Sequence, residues 1–181
     1  ILDVNGYLKY RCTGKMVTEL SGASGYGFDL KKKTWLSVLP LAGIDMKKLP
    51  PLVKSTDIVG GLTAEAAQET GLLEGTPVFG GCDDVQAAAV GSGQSEDGDV
   101  HVYLGTSAWV AAATKTGDAF KHGAAAIQSA DPEMNLIAGI TESAGANIEW
   151  IRDQFFQHEK EKYGAGVFNY MDEVIAAVPP G

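Results

Sequence analysis

Residues 80–117 read GGCDDVQAAAVGSGQSEDGDVHVYLGTSAWVAAATKTG, and the reading of this stretch decides the fold. A Gly80-Gly81 pair turns the chain, and two adjacent carboxylates, Asp83 and Asp84, follow it. Residues 84–91 (DVQAAAVG) have the composition of a small-residue helix. Residues 92–98 (SGQSEDG) form a polar, glycine-containing connection where a domain boundary could fall. Residues 99–104 alternate with the period of a strand, Gly105-Thr106-Ser107 turns, and residues 108–114 return as a second strand. Two readings of the carboxylate stand side by side. Asp84 caps the helix through the N–H of Gln86 or Ala87, or it is a general base held where small residues leave room for a substrate. The glycine turn is likewise an ordinary hairpin tip, or a set of N–H and hydroxyl donors converging on an anion such as phosphate.

Working outward, residues 76–80 (TPVFG) read as a short buried strand carrying Val78 and Phe79. Residues 63–70 read as a helix capped by Thr63 and stopped by Gly71. Residues 29–39 (DLKKKTWLSVL) suggest an amphipathic helix with Asp29 as N-cap and Trp35, Leu36 and Leu39 inward, and residues 5–22 a helix or loop-helix. Downstream, strands are predicted over 124–129 and 134–140 about the Asp131-Pro132 turn, and helices over 143–160 and 166–177. The order implies an α/β fold with a mixed sheet, not the regular alternation of a doubly wound dinucleotide fold. Neither a GxxxxGK[ST] loop nor a complete GxGxxG is present.

The 181 residues are 45% apolar and 20% charged with a net charge of −9, a globular composition. Such an acidic surface argues against nucleic acid or an anionic membrane as partner. Cys12 and Cys82 do not make a disulfide framework, and His101, His122 and His158 are scattered outside any ligand spacing, so no metal ligand is assigned. A reducing, cytoplasmic setting is the simpler inference, and no membrane span or signal segment is predicted. Ile1-Leu2-Asp3 and Val178-Pro179-Pro180-Gly181 look abrupt, which suggests a piece of a longer chain. Trp35, Trp109 and Trp150 are expected to pack rather than stack on a sugar. Cys82 is expected to be a small buried residue, and Glu159-Lys160-Glu161-Lys162 a solvated helix face.

Several blocks carry a family resemblance. They are YLKYRCTGKMVTELSGAS (7–24), LPPLVKSTDIVGGLTAEAAQETGLLEGTPVFGG (49–81), GGCDDVQAAAVGSG (80–93), LGTS (104–107) and TESAGANIEWIRD (141–153). In this order and spacing they resemble the FGGY carbohydrate kinases, and most nearly the xylulose kinases. The resemblance implies a ribonuclease H-like α/β fold of the actin, Hsp70 and hexokinase superfamily. It implies that residues 1–91 are the C-terminal part of the first lobe and residues 92–181 the N-terminal part of the second. It also implies transfer of the γ-phosphoryl group of ATP, with Mg2+, to a hydroxyl of a ketose or polyol, D-xylulose foremost, and leaves a homodimer open. The family's aspartate lies seven positions before the next glycine block; Asp84 stands seven before Gly91 and Asp83 eight. The resemblance therefore assigns Asp84 as base, with Asp83 the runner-up. Gly105, Thr106 and Ser107 match the loop facing the β- and γ-phosphates, and Gln86 a position near the sugar. Glu19 departs from the family's usual aspartate. The alternative function is a non-catalytic actin-like domain that binds nucleotide or a partner, which would keep its properties when Asp84 is neutralised.

Overall fold

Helix α1 (Val4–Thr13) begins where Asp3 accepts a hydrogen bond from the Gly6 N–H and ends where Gly14 turns left-handed at φ 73°. That glycine stops the helix well short of residue 22. The chain instead continues into β1 (Thr18–Glu19) and the single turn α2 (Leu20–Ala23). The computed structural model describes residues 2–116 and 124–179; His122 lies outside them.

Residues 29–39 are not a helix. Phe28 and Trp35 face each other across an antiparallel pair, β2 (Phe28–Asp29) and β3 (Thr34–Trp35). Asp29 does cap, but it caps a turn, accepting from the N–H groups of Lys31 (3.1 Å) and Lys32 (3.0 Å). The left-handed backbone of Lys33 (φ 54°) completes the reversal. Trp35, Leu30 and Leu52 then pack on a core of Leu20, Ala23 and Phe28. Tertiary burial of two aromatic side chains thus overrides a helical pattern.

The next elements are β4 (Leu52–Val53), parallel to β1, and β5 (Ile58–Gly61), antiparallel to β6 (Pro77–Phe79). Between β5 and β6 lies α3 (Ala64–Thr70), where Thr63 accepts from the Ala66 N–H and Gly71 closes the C-terminus, as the sequence predicts. Strand β6 is not buried: Phe79 is 51% exposed. Helix α4 (Asp84–Gly91) follows. A four-stranded sheet comes next, ordered β7-β8-β10-β9, from β7 (Val100–Leu104), β8 (Ala108–Thr114), β9 (Ala125–Gln128) and β10 (Asn135–Thr141). Ala89 of α4 packs with Ala113, Met134 and Leu136, flanked by Val85 and Ile127. The alanines of α4 therefore serve close approach to a sheet, and burying Leu136 alone contributes about 2 kcal/mol.

The described chain divides into two compact units, Ile1–His101 with Ala111–Gly139, and Val102–Val110 with Ile140–Gly181. The second contains α5 (Gly145–Phe155), α6 (Gln157–Tyr163) and α7 (Val167–Ala176). The helix predicted over 143–160 is thus two helices, meeting at Phe156, whose φ of −121° is off-helical. Phe156 lies edge-on to Tyr170 of α7, and Tyr163 stacks on the same ring at 5.2 Å. Val167 and Met171 are the buried residues of α7. No described helix is long and apolar enough to cross a membrane.

Candidate functional site

Two regions carry the chemistry read from the sequence, one in each unit. The first is the junction between β6 and α4. Gly80 is required by proximity, because a Cβ there would overlap the carbonyl oxygen of Lys54. Gly81 is required by conformation, with φ 71°. The cap position of α4 is Asp83, not Asp84, and its side chain makes no capping bond. Asp84 is the first helical residue; its Oδ1 accepts only from its neighbour's N–H, Val85 N, at 2.8 Å. The Asp84 side chain is exposed and is not spent on the N–H groups of Gln86 or Ala87. Gln86 points the other way. It is 3% exposed and its Nε2 donates to the carbonyl of Gln128 at 2.8 Å. As placed, Gln86 ties α4 to β9 and does not face solvent beside Asp84.

Beneath the junction lies a polar cluster within the same unit. Lys9 is 3% exposed and donates from Nζ to the Gly80 carbonyl at 2.7 Å. Glu19 is 1% exposed and accepts from Ser21 N (2.6 Å), Gly22 N (2.5 Å) and Ser21 Oγ (2.8 Å). This residue caps α2, so it is committed to its own backbone rather than to a ligand. Asp3 accepts from Thr18 Oγ1 at 2.9 Å and from the Tyr26 hydroxyl at 3.0 Å.

The charges in this cluster move one another. Burial pushes Lys9 down, opposed by the carboxylates of Glu19, Asp3 and Asp83. Burial pushes Glu19 up against its three hydrogen bonds. Burial, then the Asp3 and Asp84 charges, push Asp83 up. The Cys82 thiol is raised by burial and by Glu19 and Asp83, which suits an inert thiol.

The second region is the hairpin tip between β7 and β8. Gly105 N donates to Ser107 O at 2.9 Å, so the first N–H of the turn is already used. The carbonyls of Gly105 and Thr106 accept from Gly145 N and Ala144 N, both at 2.8 Å, at the start of α5. Gly145 permits this contact, since a Cβ there would sit 2.6 Å from Gly105 O. The tip and α5 wall a cleft of about 430 Å3 that includes Gly105, Thr106, Gly145, Ala146, Glu149 and Phe168. Thr106 is exposed, and the Thr106 and Ser107 hydroxyls make no hydrogen bond among the described residues. The donors on offer to an anion are these hydroxyls more than the Gly105 N–H.

Sequence reasoning does not single out Gly145 and Glu149 as cleft residues. The signal is the Ala144-Gly145-Ala146 helix start, which a reading confined to the hairpin passes over. The tryptophans pack as expected in two cases. Trp35 Nε1 donates to Pro50 O at 3.0 Å, and Trp109 stacks on Tyr103 at 3.8 Å. Trp150 is 58% exposed, with its ring near the edge of Phe155. Among the described residues no group of three or more His, Cys, Asp or Glu side chains could hold a metal ion.

Comparison with known proteins extends this picture. The profile of the FGGY family of carbohydrate kinases, N-terminal domain, matches residues 1–91. Autoinducer-2 kinase of Yersinia enterocolitica is 29% identical over 98% of this chain, and that of Escherichia coli 28% over 100%. In each case the chain spans 35% of the relative's length. Among solved structures, xylulose kinase from Rhodospirillum rubrum superposes with a TM-score of 0.85 at 27% identity, over 97% of this chain and 36% of its own. Glycerol kinase from Plasmodium falciparum with ADP shares the fold alone, at a TM-score of 0.72 and 17% identity over 84% of this chain and 31% of its own. The fold expected from the sequence, that of the actin- and hexokinase-like sugar kinases, is the one observed.

Proposed function

Because this chain belongs to the FGGY family of carbohydrate kinases, we propose that it forms the central part of an ATP-dependent sugar kinase. Residues 1–91 belong to the end of the first lobe and residues 92–181 to the start of the second. The enzyme transfers the γ-phosphoryl group of Mg2+-bound ATP to a hydroxyl of a ketose or polyol. Asp84 accepts the hydroxyl proton as the substrate oxygen bonds to phosphorus and the bond to ADP breaks. The observation that carries this reading is the exposed Asp84 carboxylate at the head of α4, which among the described residues accepts only from the next residue's N–H.

Gly105, Thr106 and Ser107 face the donor's phosphates, with the two hydroxyls as donors and the cleft beside α5 giving room for the nucleotide. Magnesium arrives with the nucleotide, held largely by phosphate oxygens. D-xylulose is the first substrate to test. The autoinducer-2 kinases, as relatives at comparable identity, make autoinducer-2 the second.

The test is Asp84→Asn in the full-length kinase, assayed by ADP release with D-xylulose, other ketoses, polyols and autoinducer-2. Turnover on the best substrate should fall by roughly 10²- to 10⁴-fold while ATP binding persists. Native turnover in the variant would remove Asp84 from the reaction. A native protein that phosphorylates no member of the panel would instead favour the nucleotide- or partner-binding alternative.

A further inference from the structure

We infer that Ser21 is a positioning residue for Asp84, its hydroxyl linking the buried Glu19 carboxylate to the peptide that precedes the base. The inference rests on the reading of Asp84 as base and adds what holds it in place. Ser21 Oγ donates to Glu19 Oε1 at 2.8 Å and accepts from Asp83 N at 3.1 Å. It is 3% exposed, so water does not compete for either bond. Ser21 is thus a two-sided clasp across a sequence separation of 62 residues.

The other end of the junction is held just as specifically. Lys9 holds the Gly80 carbonyl, and the Gly80 and Gly81 N–H groups donate to Asp57 O and Ser55 O, both at 2.9 Å. The four residues before Asp84 therefore meet partners from three separate stretches of chain. Helix α4 has no side-chain N-cap of its own, so its first turn takes its place from these contacts.

Stability alone does not call for this arrangement. A buried carboxylate and a buried ammonium are expensive, and apolar residues of equal volume commonly stabilise as well or better. What the polar pair adds is a fixed location for one peptide group. A carboxylate that must meet a substrate hydroxyl at hydrogen-bond distance needs that location to within a fraction of an ångström.

The experiment compares Ser21→Ala, Asp84→Asn and the double variant in the full-length kinase, with kcat and both KM values on the best substrate and a melting curve for each. Ser21→Ala should lower kcat about 10- to 100-fold, with the KM for ATP within about twofold of native. Ser21→Thr, which keeps the hydroxyl, should recover most of the loss. In the Asp84→Asn background Ser21→Ala should cost little more, because there is no base left to place.

Native kcat in folded Ser21→Ala, or a Thr variant as impaired as Ala, overturns the inference, as does a full multiplicative loss in the double variant. If Ser21→Ala does not fold, Ser21→Cys, close in volume and weaker in both bonds, replaces it: a lowered kcat supports the clasp and a native kcat overturns it. An Asp84→Asn enzyme with native turnover would instead overturn the base reading. Loss in Asp84→Asn alongside native kcat in Ser21→Ala would leave that reading intact and remove only the clasp.

Discussion

On the proposed function, the junction at Asp84 and the hairpin tip at Gly105–Ser107 solve two positioning problems in different ways. The junction is held by side chains: Lys9 on the Gly80 carbonyl, Ser21 on the Asp83 N–H, and Glu19 behind Ser21. The hydrogen bonds that hold the tip are backbone ones, its carbonyls taking the Ala144 and Gly145 N–H groups at the start of α5. A proton acceptor must meet one atom along one direction, so it gains from a polar network with a single arrangement. Contacts to a phosphate spread over several oxygens, so a glycine turn with two hydroxyls suffices. The junction should therefore be brittle to substitution, and the tip tolerant.

The largest effect should come from Lys9→Met in the full-length protein. It removes the buried ammonium on which the Glu19, Asp3 and Asp83 carboxylates act, and leaves the Gly80 carbonyl without its buried donor. A loss on the order of 3 kcal/mol follows, read as a lowered melting temperature. A variant as stable as native would mean that the cluster relaxes or takes up protons at little cost, and would remove the brittleness from the comparison. Gly80→Ala comes next. The added Cβ overlaps the Lys54 carbonyl, and backbone must move on one side, at about 2 to 3 kcal/mol. It should also lower turnover, since that movement reaches Asp84 through four peptides.

Much of this is legible in the sequence, and the gaps have physical causes. Helix α3, with Thr63 and Gly71 at its ends, and the β7–β8 hairpin are readable because local signals decide them: caps, a left-handed glycine, strict alternation. The 29–39 segment misleads because its apolar spacing fits a helix, while the turn at Asp29 and the docking of Trp35 decide otherwise. Spacing singles out Asp84, yet not its local role. Composition places the helix over 84–91, as observed, which makes Asp84 its first residue and Asp83 the cap position, one residue before the aspartate read as a cap. Ser21 and Lys9 carry no signal in the sequence, since each bonds to a peptide more than sixty residues away.

At the tip, Gly145→Ala should be milder than Gly80→Ala, because only the hairpin and one helix end need to separate. The added Cβ would meet Gly105 O at 2.6 Å, so the 2.8 Å bond from Gly145 N to Gly105 O would be strained, raising the KM for ATP several-fold at a cost of about 1 kcal/mol. An unchanged KM would place the nucleotide away from this cleft. Thr106→Val and Ser107→Ala should each weaken ATP binding only a few-fold and leave stability within about 0.5 kcal/mol, as neither hydroxyl has a partner to lose among the described residues. A hundredfold loss from either would show that the tip is as demanding as the junction.

The smallest effect, and the sharpest division within the junction itself, is expected from Asp83→Asn. Asp83 makes no capping bond, and its contribution to the network is its peptide N–H, which asparagine keeps. Burial and the charges of Asp3 and Asp84 raise its carboxyl above the ordinary 3.8, with Lys9 opposing. A raised carboxyl contributes stability that is complete below its unfolded value and is lost as pH rises through the folded one. At neutral pH the ionised Asp83 is therefore a small burden that asparagine does not carry. The variant should melt slightly higher than native at pH 7, and the difference should close as the pH falls toward about 4. Turnover should stay within about threefold of native, because the proposed proton acceptor is the neighbouring residue. A loss as deep as that of Asp84→Asn would transfer the role of base to Asp83, making the half-buried member of the pair, rather than the exposed one, the group that the clasp exists to place.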